Sequence, residues 1–472
     1  MAAVGDSVPQ GRIRRALPLA GFTARAAGQR LVAELREMAG DPDAVARFHA
    51  RAADHYAQLL GHSKGVLMKA GQLFSTVDTN AIASGQLTPY QKALARLQAD
   101  APPMDPTVAG EVLRADLGAR AEQVFAEFDA EPFAAASIGQ VHRAVLRDGR
   151  DVAVKIQYPG VAEAIRADLA NTELLTTFFR FLAAATPAPM PDTRQATRDI
   201  LARITEEVDY RHEAANITAF GELYRDHPFI RIPEVVSHAS GERVLTMTYM
   251  RGMDWAAAQE AEQELKNTWA EVILRFTTSS YRHANLFHGD PHPGNYRFGP
   301  DGQVGFLDFG CVKVLPETLR RNVVGLLRAA VEGRKRDLRD MMVDIGFFTD
   351  DAPLTADEVY GWYADLVYEV LAPQPVTYSA DIAQRAVRAL IDYRSADHPV
   401  RRMAVPEDLA LTSRINLSVT SICAALRATV HVRATLDDLD GVAAPVTPLG
   451  KQHDAWARDR GLPYGLDRHD RP

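Results

Sequence analysis

Cysteine is nearly absent from this chain. Only Cys311 and Cys423 occur in 472 residues, and they lie far apart. That excludes a disulfide framework and a zinc cage, and fits a reducing compartment. A surplus of positive charge is lacking too: the formal net charge is −8. Polyanion binders usually carry a basic excess, so nucleic acid is not an expected partner. Long apolar runs are missing. The two best candidates, residues 174–190 and 409–426, are cut by Arg180 and two prolines, and by Arg414 and Asn416. A spanning helix needs about 20 nearly uninterrupted apolar residues. The first 30 residues also lack the apolar core of a cleavable signal peptide. What remains is 47% apolar and 24% charged residues, a soluble globular composition, at a length that suggests about two to four domains. A cytoplasmic location follows as the expectation. One local bias stands against the acidic whole: residues 11–32 carry Arg12, Arg14, Arg15, Arg25 and Arg30 and no acid. The plain reading is a tail or a solvated helix face; the alternative is peripheral contact with an anionic membrane surface.

Hydrophobic periodicity divides the chain. Residues from about 26 to 100 read as helices, with apolar positions recurring at three and four in 45–60. Thr88-Pro89 and Asp105-Pro106 are helix starts, and Gly118 is a helix stop. The period then changes to two. Residues 125–133, 139–146 and 151–157 alternate as strands, and Asp148-Gly149 turns the last two into a hairpin. A helical stretch from about Val161 to Tyr224 precedes two further strands, 230–238 and 243–250. Beyond Trp255 the pattern is helical, except where Pro300-Asp301-Gly302 joins two short strands. The last 30 or so residues, rich in Asp, Arg, Gly and Pro, read as loosely ordered. The expected fold is α+β: a two-lobed protein-kinase-like fold with an N-terminal helical extension and a mostly helical C-terminal lobe. Its expected segments are 1–40 basic, 41–120 helical extension, 121–250 sheet lobe with one long helix, 251–440 helical lobe and 441–472 tail.

Phosphoryl transfer from ATP needs few groups: a cation on the α/β-phosphates, a carboxylate to fix that cation, oxygen ligands for Mg²⁺ and a carboxylate facing the nucleophile. Lys155 stands in Val-Ala-Val-Lys on the third strand. Asp290 and Asn295, in His-Gly-Asp-Pro-His-Pro-Gly-Asn (288–295), keep the spacing that lets the Asp face a nucleophile and the Asn amide oxygen face a metal. Asp308 follows in Asp-Phe-Gly after a short hairpin, and Mg²⁺ prefers such hard oxygen ligands. Taken singly, each motif also reads as a solvated strand, a polar loop or a hairpin turn. Their order makes chance a poor explanation. The glycine-rich phosphate loop is missing: Ala134, Ala135, Ala136 and Ser137 stand in its place. Alanine lacks glycine's freedom at positive φ, so the backbone cannot fold over phosphates in the usual way. Two clusters remain. One is Lys69-Ala70-Gly71-Gln72; the other is 206–216, with Glu207 and Glu213 six residues apart. On a straight helix those two acids cannot face the same way, so one could pair with Lys155 and leave the other to meet a residue from elsewhere.

Lys-Ala-Gly-Gln, the alanine-rich stretch through Ile138-Gly139-Gln140, Val-Ala-Val-Lys, the acidic cluster, the 288–295 loop and Asp-Phe-Gly, in this order, resemble the UbiB-like or AarF-domain atypical kinases. The resemblance covers roughly residues 60 to 345. It implies that Lys69 reaches over the nucleotide cleft to Glu207 with Gln72 nearby, and that Lys155 pairs with Glu213. Ala134 to Ser137 would lie over the phosphates, Asp290 would take the catalytic-base position, and Asn295 and Asp308 would hold Mg²⁺. Met247 and Tyr249 would flank the adenine in the segment linking the lobes, where many relatives carry an acid. The implied activity is ATP hydrolysis or phosphorylation of a small or lipid-like substrate, tied to isoprenoid quinone or membrane lipid metabolism. Two other classes stay open: a small-molecule phosphotransferase of the aminoglycoside or choline kinase kind, and a nucleotide-binding pseudokinase switch. The helical extension and the alanine stretch speak against the first, and the full set of ion-binding residues against the second.

Overall fold

The computed structural model describes residues 104–136, 138–163, 209–391, 399–404 and 406–466, with parts of 29–52. Lys69, Gln72, Ser137, Glu207, the Thr88-Pro89 helix start and most of the basic segment lie outside the described residues. Within 45–60, residues 45–48 and 50–52 are helical as expected. The chain divides into two compact units, residues 1–212 with 235–249, and residues 213–234 with 250–472.

The first unit is built on an antiparallel sheet in the order β1 (Phe125–Phe128), β3 (Gly139–Leu146), β4 (Asp151–Gln157), β6 (Val244–Thr248), with β2 (Ala134–Ala136) also on β3. The β3–β4 hairpin turns at Gly149, whose φ of 88° is cheap only for glycine. Along β4 the apolar Val152, Val154 and Ile156 point to one face and are fully buried, as a period of two requires. Helix α1 (Pro106–Leu117) covers that face with Ala109, Val112, Leu113 and Leu117. Its start and stop are those read from the sequence: Asp105 accepts from the Thr107 amide at 2.8 Å, and Gly118 sits at φ 62°. The expectation of a helical extension over 41–120 needs correction here, because α1 contributes four residues to the sheet unit's own core. Asp116 of α1 also accepts from the backbone amides of Arg243 and Val244 at 2.9 and 3.0 Å, which pins the start of β6.

In the second unit, α2 (Tyr210–Leu223) enters from the first unit and continues to Leu223. β5 (Ile230–Arg231) runs parallel to β9 (Val304–Phe306), which pairs with β8 (Tyr296–Phe298) through the expected turn. Of the strand expected over 230–238, only these two residues and a bridge from Val235 to Met247 form. Helix α3 (Gln263–Ala284) is the unit's axis, with Trp269, Val272, Ile273 and Phe276 buried. Phe276 stacks on Phe306 at 3.6 Å between ring centres. β7 (Leu286–His288) pairs with β10 (Val312–Val314), and the described residues that follow are mostly helical, with one short strand pair, Val376–Thr377 on Thr429–Val430.

The loosely ordered tail is a second correction. Residues 448–459 form a helix, α4 (Pro448–Asp459), with Thr447 as N-cap and with His453 and Trp456 buried. The polar composition of this stretch hid four inward-facing positions at helical spacing. Both cysteines are buried thiols outside any disulfide. Among the described residues, no helix is long and apolar enough to cross a membrane.

Candidate active site

In the first unit, Lys155 stands on a central strand, paired with Val141 on β3 and Leu245 on β6. Its side chain lies on the face opposite Val154 and Ile156 and is buried, with the ammonium 5.1 Å from the centre of the Tyr210 ring. An aromatic face attracts a cation while allowing it a further anionic partner. Ala134, Ala135 and Ala136 are a strand rather than an open loop: they pair with Val141, Gln140 and Gly139. Three methyl side chains suit a short edge strand, and nothing in them requires positive φ. Met247 is buried and pairs with Ala153. Tyr249 packs edge-on to Phe133 at 5.8 Å beneath the Arg143 guanidinium. The Tyr249 amide donates to the Asp151 carbonyl at 3.0 Å, so that amide is engaged in the sheet.

In the second unit, the 288–295 loop and Asp-Phe-Gly form one constellation. The Leu307 amide donates to the Asn295 carbonyl at 2.9 Å, which sets Asn295 beside the strand end that carries Asp308. Asn295 closes a turn of 3₁₀ helix whose first amide, from Gly294, donates to His292 Nδ1 at 3.1 Å. The Asp308 carboxylate accepts from the Gly310 amide at 3.0 Å, a local turn that fixes its direction. His288 is buried, and its Nε2 donates to the Asp308 carbonyl at 2.7 Å. Burial pushes its pKa down against the opposing pull of Asp290 and Asp308, so the imidazole is a neutral strut. Phe309 is fully buried, tilted against Phe220 of α2 at 4.9 Å. Asn216 of α2 donates to the Phe309 carbonyl at 2.8 Å. The helix that bears the buried Glu213 is thus tied to Asp-Phe-Gly within the same unit.

That helix starts at Tyr210, after a non-helical Asp209 whose carboxylate accepts from the Arg211 amide. Sequence reasoning quoted His288 and Asn216 inside motifs but gave them no role. A buried His288 and a half-buried Asn216 next to a chemical group are the only signal, and it becomes visible with the fold. Gly289 was missed as well. A methyl group there would meet Cys311 Sγ at 2.5 Å and the Cys311 carbonyl at 3.0 Å, where the Gly289 amide donates to that carbonyl at 2.7 Å. Gly289→Ala is expected to push β7 from β10, to destabilise the second unit by roughly 1–3 kcal/mol and to lower turnover through Asp290. Wild-type melting and activity in that variant would contradict the close approach.

Residues 96–342 match the ABC1 atypical kinase-like domain, more than half of the chain. A chloroplast protein of Arabidopsis thaliana, activity of bc1 complex kinase 1, is 31% identical over 346 residues, covering 72% of this chain and 48% of that protein. The mitochondrial atypical kinase COQ8B of Rattus norvegicus is 32% identical over 298 residues, covering 63% of this chain and 55% of that protein. The chain thus spans about half the length of these curated relatives. The solved structure of Rv3197 from Mycobacterium tuberculosis, in complex with erythromycin, has a TM-score of 0.60 and 32% identity, covering 86% of this chain and all of that one. The sheet of the first unit, the 288–295 loop and the Asp-Phe-Gly segment fall inside the matched residues, and the chain belongs to the ABC1, or AarF, atypical kinase-like family, the UbiB-like group that its motifs resemble.

Proposed function

We propose that the protein is an ATP-dependent phosphotransferase or ATPase of the atypical-kinase type, acting on a small or lipid-like substrate in isoprenoid quinone or membrane lipid metabolism. The observation that supports this reading is the backbone bond between Leu307 and Asn295, which sets the backbone of Asn295 beside the segment that carries Asp308. Among the described residues no group of three or more His, Cys, Asp or Glu could hold a metal by itself. Two hard oxygen donors nevertheless fit Mg²⁺, which keeps several waters and takes substrate phosphates as its other ligands. Asn295 and Asp308 would hold that ion. It would supply neutralisation of charge on the phosphates.

Lys155 would hold the α/β-phosphates. Glu213 would be the lysine's carboxylate, the role that the family resemblance implies. Asp290 would accept the hydrogen bond of the attacking hydroxyl or water and orient it. Ala134, Ala135 and Ala136 would border the phosphates as a strand edge, with Ser137 following. Met247 and Tyr249 would flank the adenine, the latter through its ring because its amide is engaged. Lys69, Gln72 and Glu207 keep the roles that the family resemblance implies. Peripheral membrane contact would come from the basic segment 11–32.

The test is phosphate release from Mg-ATP by the purified protein, with and without anionic liposomes, beside Asp290→Asn. Turnover that rises with liposomes and falls about 10²-fold or more in the variant is expected, since general-base positioning contributes about 10²–10⁴-fold. Tight nucleotide binding with no turnover under either condition would replace this reading with a nucleotide-binding switch.

A further inference from the structure

The C-terminal helix α4 does more than pack. The last carbonyls of any helix lack partners within it, and those of Glu222 and Leu223 at the end of α2, with that of Arg225 just beyond, find theirs on α4 and the residue after it. Arg460 Nη1 donates to the Leu223 and Arg225 carbonyls, both at 3.0 Å, and Nη2 to the Glu222 carbonyl at 2.9 Å. Trp456 Nε1 donates to the Arg225 carbonyl at 3.0 Å, and its ring stacks on Tyr224 at 13° between planes. The Tyr224 hydroxyl in turn donates to the Phe276 carbonyl of α3 at 3.0 Å.

Behind this cap runs a row of three buried histidines. His227 Nδ1 accepts from the Ile230 amide at 3.0 Å, so its Nε2 carries the proton and donates to His453 Nδ1 at 2.9 Å. His453 Nε2 then donates to His283 Nε2 at 3.0 Å, and His283 Nδ1 donates to the Pro463 carbonyl at 2.7 Å. An amide at one end and a carbonyl at the other fix the direction of the whole row. Each ring is neutral, and each has one donor and one acceptor in use. One added proton would set two N–H groups head to head, and reversing the row would set an N–H against the Ile230 amide.

We propose that α4 and Arg460 are a positioning clamp on the Glu213-bearing helix, latched by the neutral histidine row and released by acid. The inference rests on the kinase reading for its effect on turnover, and on the geometry alone for the clamp. Glu213 and Asn216 are on the helix whose end Arg460 and Trp456 hold. Fraying at that end would loosen both Glu213 and the bond from Asn216 to Phe309.

The charges around the row favour its neutral form. Arg231 beside His227, Arg275 and Arg282 on α3, and Arg460 after α4 all disfavour further positive charge. The carboxylates nearby are committed elsewhere: Glu271 and Asp438 to Arg275, Asp440 to Arg282, and Asp454 to Arg458 and Tyr464. Burial, first among the causes, holds the His283 pKa down to about 4 and those of His227 and His453 well below the usual range. Because the folded values are depressed, the stability they confer is present above the unfolded value of about 6.5. It is lost progressively as pH falls from there through about 4.

The test uses amide exchange of the full chain, corrected for the intrinsic pH effect, together with the pH profile of Mg-ATP turnover. In wild type, peptides covering 219–227 and 448–463 should loosen together between pH 7 and 5, each by about tenfold or more, while β8 and β9 stay protected. Arg460→Ala should loosen the 219–227 peptide at pH 7 and lower kcat more than the KM for ATP. Arg460→Lys, which restores donors, should recover part of both. His453→Gln, which keeps one donor and one acceptor without titrating, should flatten the acid limb. If that variant does not fold, the ring-nitrogen NMR of wild type decides. Nε2–H on His227 and His453 and Nδ1–H on His283 at pH 7 are expected, and a charged ring at any of the three overturns the latch. Loosening of 448–463 with 219–227 unchanged overturns the clamp. Absence of wild-type turnover would defeat the kinase reading and leave the coupled exchange to decide this one.

Discussion

Asp308→Asn is expected to lower Mg²⁺-dependent ATP turnover by about 10²-fold or more and to remove most of the Mg²⁺-dependent part of nucleotide affinity. The substitution is nearly isosteric. The Asp308 carboxylate accepts from the Gly310 amide, and an asparagine carbonyl oxygen can take the same bond, so the turn that aims the side chain survives. His288 holds the backbone carbonyl rather than the side chain, and that contact is untouched. What changes is the charge on a ligand of a hard cation, and a Lewis-acidic ion is worth several kcal/mol of transition-state charge stabilisation. Titration calorimetry with ATP, with and without Mg²⁺, separates the effect from unfolding. Equal Mg-ATP affinity in variant and wild type would remove Asp308 from the metal site.

The second large effect is on stability. Arg282 is fully buried, and its Nε donates to Asp440 at 2.7 Å, with Asp440 itself almost fully buried. Asp440→Ala would leave a guanidinium in the core with only the Thr278 carbonyl and the Tyr281 hydroxyl as described acceptors. Removing one partner of a buried pair typically destabilises by about 3–5 kcal/mol. For a unit of this size that is a fall in melting temperature on the order of 10 °C. Arg282→Met combined with Asp440→Leu should recover much of it, because no charge is then stranded. A single variant that melts with wild type would show that water reaches this pair; a double variant no better than the single would show that packing, not charge, sets the loss.

Local patterns carried over from sequence to structure. The Asp148-Gly149 turn, Val-Ala-Val-Lys on β4, the Asp105 cap, the Gly118 stop and the Pro300-to-Gly302 connection are each decided by neighbours within a few residues. The 288–295 loop and Asp-Phe-Gly were legible for the same reason. What stayed hidden depends on partners distant in the chain. The apolar stripe of α1 does not say whether it covers a helix or a sheet. Ala134 to Ala136 have no side chains large enough to reveal that they pair with β3. His227, His283 and His453 lie in three unrelated segments, and no spacing links them. The polar content of residues 448–459 read as disorder because the few residues that anchor it are ringed by charge.

The buried guanidiniums also bear on how the chain is made. Arg275 and Arg282 sit on α3, whereas Asp438 and Asp440, which neutralise them, follow 163 and 158 residues later. At a synthesis rate of about 5–20 residues per second, roughly 8–30 s pass between the emergence of each arginine and that of its acid. Until then α3 cannot bury its charged positions without heavy desolvation. Arg275 has Glu271 on its own helix in the meantime, but Arg282 has no described acid before Asp440, so a nascent chain truncated before Asp438 is expected to leave this part of the second unit open.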